Sequence, residues 1–185
     1  MVSWRGAYGP LEYRGNRYGL RAHEFRKFVA LPAASGQACQ LALNIHPGDH
    51  QDLDLLLSNG WEIVDPGQHA GDPWSYRRYI QQSGSEFMCA KNMYVETASG
   101  WFSDRSICYL GSGKPVLAQD TGLEQHLPVG EGLLLYTSLE EAVAGVSELG
   151  DNYQKHALAA RDIAEQYFDS GKVLGQLLDR LGSGS

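Results

Sequence analysis

The sequence predicts an α/β fold, a Rossmann-like parallel sheet with helices on both faces. Three observations carry this. Short apolar runs recur at Gln40–Ile45, Trp61–Val64, Glu86–Ala90, Pro115–Ala118 and Leu133–Tyr136, the length and character of strands buried on both faces. Stretches with helical spacing and helix caps separate them, as parallel neighbours require. Hydrophobic content of 43% against 20% charged residues is that of a chain with a packed core.

The elements follow in order. Residues 1–38 read as an entry segment with a short helix, rich in Gly, Tyr and Arg from Met1 to Gly19, where Leu11–Tyr13 forms a short strand. A helix over His23–Val29 puts Phe25, Phe28 and Val29 on one face and ends at Leu31 and Pro32. After the first buried strand, a helix starts at Asp49 or His50 and runs through Leu57, stopped by Asn59 and Gly60. Trp61–Val64 is the second strand and residues 65–71 a loop. Asp72 caps a helix with Pro73 at its first position, running to about Gln82. The third strand is Glu86–Ala90. A glycine turn, a short helix opened by Ser103 and Asp104 and closed near Gly113, and the fourth strand come next. After the fifth strand, Ser138 and Glu141 form a capping box for a helix ending near Leu149. Helices over about Asp151–Tyr167 and Lys172–Arg180 complete a Rossmann-like domain spanning 39–181. The closing GSGS, 182–185, reads as an appended linker.

Composition excludes several functions. A net charge of −7 disfavours a nucleic-acid surface, which needs a basic face. Cys39, Cys89 and Cys108 are odd in number and form no C-x-x-C pair, so neither a disulfide framework nor a zinc site is expected, and a reduced cytoplasmic setting is the simplest. No apolar run approaches the roughly 18 residues of a membrane span, and no signal-peptide apolar region opens the chain. Gly111-Ser112-Gly113-Lys114 is followed by Pro115 where a phosphate loop needs Ser or Thr. His46 and His50 are separated by Pro47 and Gly48, a loop and not a metal-binding helix face. Cys108 reads as a small buried hydrophobe, and no G-x-S-x-G elbow surrounds Ser103 or Ser106. No metal, cofactor or catalytic residue is assigned.

The stretch from Ala98 to Gly122 carries the candidate site. Ser99, Gly100, Ser103, Asp104, Arg105 and Ser106 form a turn and helix start, where amides without internal partners and the positive end of the helix dipole suit an anion. Lys91 lies at the preceding strand end, and Gln119, Asp120, Thr121 and Gly122 follow the next strand, at the sheet edge where ligands of open parallel sheets bind. Lys91 and Arg105 are expected to neutralise a diphosphate, with the hydroxyls and amides donating hydrogen bonds. The competing structural reading is a capped helix with Arg105 paired to a surface carboxylate. Trp101 and Phe102 are either core anchors or a platform for a base.

The run SGWFSDRSICYLGSGKPVLAQDTG, followed by LPVGEGLLLYTSLEEAV, resembles the C-terminal lobe of a group of bacterial GT-B glycosyltransferase-like proteins, in which S-G-W-F-S-D-R-S, A-S-G-R-P-V and Q-D-T-G recur. The likeness spans about Cys39 to Leu181 and extends back to Trp4. It implies a donor-binding lobe that holds a nucleotide-sugar, the diphosphate at Ser99–Ser106 and the sugar near Gln119–Gly122. The base stays unassigned. Sugar transfer would then occur only together with an N-terminal acceptor lobe, for which the chain is too short, leaving the isolated lobe inactive or weakly active. The E-x7-E pair of the better-known retaining GT-B families falls on Gly100 and Cys108, so ribose binding and a retaining outcome are not carried over. The alternatives are a non-catalytic α/β protein-interaction module and a sugar-nucleotide epimerase-like lobe, the latter short of carboxylates around a donor sugar.

Overall fold

The computed structural model describes residues 2–4 and 9–182. Strand β1 (Val2–Ser3) leads into a β2 (Leu11–Tyr13) and β3 (Asn16–Tyr18) hairpin, then α1 (Arg21–Phe25), a tight 3-10 turn at Arg26–Phe28 and α2 (Leu31–Ser35). The hairpin turns through Arg14 and Gly15, both at positive φ. Next come β4 (Cys39–Asn44), α3 (His50–Ser58), β5 (Trp61–Val64), α4 (Pro66–Ala70) and α5 (Pro73–Gln82). The second half contains β6 (Glu86–Met88), α6 (Asn92–Glu96), α7 (Asp104–Gly111), β7 (Val116–Gln119), β8 (Leu133–Tyr136), α8 (Leu139–Asp151), α9 (Tyr153–Tyr167) and α10 (Ser170–Gly182). Ser183–Ser185 of the expected linker lie outside the described residues, whereas Gly182 ends α10.

All strands apart from the hairpin pair in parallel, giving an α/β architecture compatible with a Rossmann-like fold. The hydrogen-bonded strands fall into two three-stranded sheets, ordered β1-β4-β5 and β6-β7-β8, where one sheet was expected. The reason is local. β1 reaches only Leu43 and Asn44 at the carboxyl end of β4, and among the described residues no strand joins that sheet to β6.

Alternation along the strands builds two cores. On β7, Leu117 faces Phe28, Tyr136 and the α8 residues Ala142 and Leu149. Its neighbours Val116 and Ala118 face Leu110 of α7 and Ala160 and Ile163 of α9. Helices thus cover both faces of the β6-β7-β8 sheet, as its fully buried central strand requires. The close fit depends on glycines: a Cβ on Gly132 would stand 2.4 Å from the Ala160 amide nitrogen, and Gly132 has φ 73°.

The leading segment is part of this fold. Trp4, Phe25, Phe28 and Leu31 are buried in the same core as Leu41, Trp61 and Leu117. Asp52 of α3 fixes them from outside, accepting from Trp4 Nε1 at 2.7 Å and from Arg26 Nε and Nη2 at 2.8 and 2.7 Å.

The expected caps form. Asp72 accepts from the Trp74 and Ser75 amides at 2.8 and 3.1 Å, and Ser138 and Glu141 cap each other. One expected loop is a helix instead: Asp65 accepts from the Gly67 amide at 2.8 Å and, with Pro66 at the first position, starts α4. Among the described residues no helix is long and apolar enough to cross a membrane.

Candidate functional site

The carboxyl ends of β6 and β7 bring the Ser99–Trp101 loop onto the Asp120–Gly122 strand end. The Gly100 amide donates to the Thr121 carbonyl at 2.7 Å, and Thr121 Oγ1 donates to the Trp101 carbonyl at 2.8 Å. Asp120 closes its own turn by accepting from the Gly122 amide at 2.8 Å. Both glycines sit at positive φ, 68° for Gly100 and 85° for Gly122. A Cβ on Gly122 would stand 3.1 Å from the Ala98 carbonyl oxygen, so the two segments touch backbone to backbone. Tyr94 of α6 stacks on Trp101 with ring centroids 4.9 Å apart, and Trp101 and Phe102 both pack against the second core.

At the start of α7, Ser103 is the cap residue but its side chain accepts no amide; it leans on Asp104 Oδ1 at 3.4 Å. Asp104 accepts from the Arg105 amide at 2.9 Å, so this carboxylate already occupies part of the anion-friendly helix end. Ser99 Oγ bonds the Tyr94 carbonyl at 3.4 Å. Ser106 is buried and its hydroxyl has no hydrogen-bond partner.

Arg105 turns inward and forms a buried ion pair with Glu86 at the start of β6. Burial disfavours its charge, but the adjacent Glu86 carboxylate outweighs this and raises its pKa. The sequence alternative paired Arg105 with a surface carboxylate; the structure pairs it instead with a buried one, Glu86. Lys91 caps α6 and keeps its ammonium 5.9 Å from the centre of the Tyr94 ring, with no acidic partner among the described residues.

A second cation stands here that the sequence reading missed. Arg21, first residue of α1, places its guanidinium carbon 5.9 Å from the centre of the Trp101 ring. Its Nε is buried without a hydrogen-bond partner. Burial first, then repulsion from Arg105, lowers its pKa against the opposing pull of Cys89, Glu86 and Tyr94. Arg21 and Lys91 therefore flank a stacked aromatic pair, one cation against each ring. His126 is the other addition: its exposed ring lies 2.9 Å from where a Gly100 Cβ would stand.

Gln119 is a buried strap and not a pocket rim. Its Oε1 accepts from the Ala90 amide at 3.0 Å and from Cys89 Sγ at 3.4 Å, while Nε2 donates to Glu24 Oε2 at 2.7 Å. Glu24, 1% exposed, also accepts from Lys27 and Asn92 at 2.7 Å each. Asn92 in turn accepts from the Gly19 amide at 2.6 Å. This network pins α1, and hence Arg21, to the carboxyl ends of β6 and β7. No sequence signal connects Arg21 or Glu24 to the Ala98–Gly122 stretch, because their partners are distant in the chain.

The arrangement suits binding of an anion with a flat group beside it: two cations, a helix start, hydroxyls and an aromatic wall. Among the described residues no cluster of three or more His, Cys, Asp or Glu side chains stands where it could hold a metal ion. Neither a protein-family model nor a curated protein matches the chain.

Proposed function

We propose that the chain is the donor-binding lobe of a GT-B-type glycosyltransferase. It holds a nucleotide-sugar through its diphosphate, and transfer needs a second lobe that carries the acceptor. The observation that carries this reading is the pair of cations, Arg21 and Lys91, with no salt-bridge partner among the described residues, one against each ring of the Tyr94–Trp101 stack and beside the Ser99–Ser106 turn and helix start. Arg105 is an anchor for α7 in this reading, and Arg21 takes the charge-neutralising role. The absence of a carboxylate at Gly100 and Cys108 agrees with a site that binds more than it catalyses.

NMR titration with a panel of nucleoside diphosphates tests it. Amide shifts at Lys91 and Ser99–Ser106 and a shift of the Arg21 Nε–H signal are expected at millimolar ligand. Arg21→Ala weakens the strongest ligand about tenfold, about 1.4 kcal/mol, in line with loss of one charge-assisted contact. Silence of all these signals throughout the panel sinks the reading.

One observation favours a second reading, a non-catalytic interaction module. Val173, Leu174, Leu177, Leu178 and Leu181 of α10 are all exposed, an apolar stripe that a folded partner would cover. Diphosphate silence combined with partner-induced shifts confined to α10 is the outcome that reading requires.

A further inference from the structure

Where the Ser99–Trp101 loop meets the Asp120–Gly122 strand end, the hydrogen-bond donors are largely committed within the chain. The Ser99 amide donates to the Tyr94 carbonyl at 3.2 Å and the Gly100 amide to the Thr121 carbonyl at 2.7 Å. The Ser99 and Thr121 hydroxyls donate to the Tyr94 and Trp101 carbonyls, and the Gly122 amide donates to Asp120 Oδ1. An anion seated against this turn can recruit one of these groups only by breaking the bond it already makes.

The imidazole of His126 is the exception. Its backbone is fixed on both sides: the His126 and Leu127 amides donate to the Leu123 carbonyl at 2.9 Å each, Leu123 is buried, and Leu127 packs against the second core. The residue is exposed, and among the described residues its ring makes no hydrogen bond or ion pair. The Cδ2–Nε2 edge of the ring lies against the bare α-carbon of Gly100, where a Cβ would stand 2.9 Å from Cδ2 and 3.0 Å from Nε2. Glycine at position 100 thus meets two needs, a left-handed turn and room for the ring. An imidazole carries an N–H on one nitrogen when neutral and on both when protonated, so this ring can donate in either state.

We infer that His126 is a ligand-contacting residue of this site, its imidazole donating to a phosphate oxygen of the bound diphosphate beside Gly100, while Arg21 and Lys91 supply charge beside Trp101 and Tyr94. The role rests on the diphosphate reading proposed above. It supplies that reading with an uncommitted donor at the turn, where the Ser99 and Gly100 amides are engaged elsewhere. Because the ring holds no bond within the described chain, its contact with the ligand forms without breaking another.

The test titrates the native chain, His126→Ala and His126→Gln with uridine, adenosine and guanosine diphosphates and with inorganic pyrophosphate. In the native chain the carbon-bound ring protons of His126 shift along the same saturation curve as the Lys91 amide. Those of His156, buried and bonded to the Gly132 amide, stay in place. His126→Ala weakens the tightest probe about tenfold. His126→Gln keeps an N–H donor and loses less than about threefold. Both variants melt within about 2 °C of the native chain. Native binding with unchanged affinity in His126→Ala, or with a silent His126 ring, overturns the role of His126 and leaves the diphosphate reading standing. Failure of the native chain to bind any of the probes overturns both. Equal losses in the two variants together with a lower melting temperature make His126 a structural residue and overturn its role as a contact.

Discussion

Replacing Glu24 by Gln changes one buried atom and tests the network that positions α1. In the native arrangement Oε1 accepts from Lys27 and Asn92 and Oε2 accepts from Gln119. Every neighbour is a donor. An amide at position 24 must therefore present its NH2 either to Asn92 and Lys27 or to Gln119. Gln119 cannot relieve the clash by flipping, because its Oε1 already serves the Ala90 amide. One donor is left unsatisfied and the remaining bonds lose their charge assistance, which together cost about 2–4 kcal/mol. For a chain of 185 residues this lowers the melting temperature by roughly 6–12 °C. Urea unfolding should show a lower midpoint at unchanged slope. The pH dependence supplies an independent signature. Burial alone would push the Glu24 carboxyl up, but the bonds from Lys27, Asn92 and Gln119 hold it below 4.5. A depressed folded-state value gives stability that is present above pH 4.5 and lost as pH falls through the folded value. The gap between native and Glu24→Gln chains should thus be constant at neutral pH and narrow below about pH 4.5. A melting temperature within about 2 °C of the native value, or a gap independent of pH down to unfolding, refutes the reasoning.

Other expectations concern single sites. Arg105→Met strands the Glu86 carboxylate in the interior and costs about 3–5 kcal/mol by urea unfolding; the double variant with Glu86→Gln recovers most of that loss if the pair is a structural anchor. Gly132→Ala drives a methyl into the α9 backbone and should cost more than about 3 kcal/mol. Gly130→Ala, also at positive φ but with open space around the added methyl, serves as the comparison and should cost clearly less.

Much of the fold was legible in the sequence because local chemistry decided it. Leu133–Tyr136 and Trp61–Val64 are buried strands by composition alone, and the caps at Asp72 and Ser138 depend on residues within one turn. What escaped depends on distant partners. The two-residue β1 carries no periodicity, and it becomes a strand only by lying beside Leu43 and Asn44. The site divides in the same way. The turn at Ser99–Gly100 and its meeting with Thr121 follow from glycine positions and from the order of strand ends. Whether Arg105 points outward or inward depended on Glu86, a charged residue at the head of an apolar strand, and that position was a signal that could have been used. Arg21 reaches the site only through the Glu24, Asn92 and Gln119 bonds, which no local pattern encodes.

β7 is a common wall, with Leu117 closing one core and Val116 and Ala118 closing the other. The two compartments share a partition only one backbone thick. A fault in either compartment that displaces this strand reaches the other without crossing any loop, and the same displacement moves Gln119 and Thr121, which anchor the neighbouring Cys89–Ala90 and Trp101 backbone. Packing far beneath the surface therefore sets the posture of the Ser99–Trp101 loop, and strain in one half is passed to the other through β7.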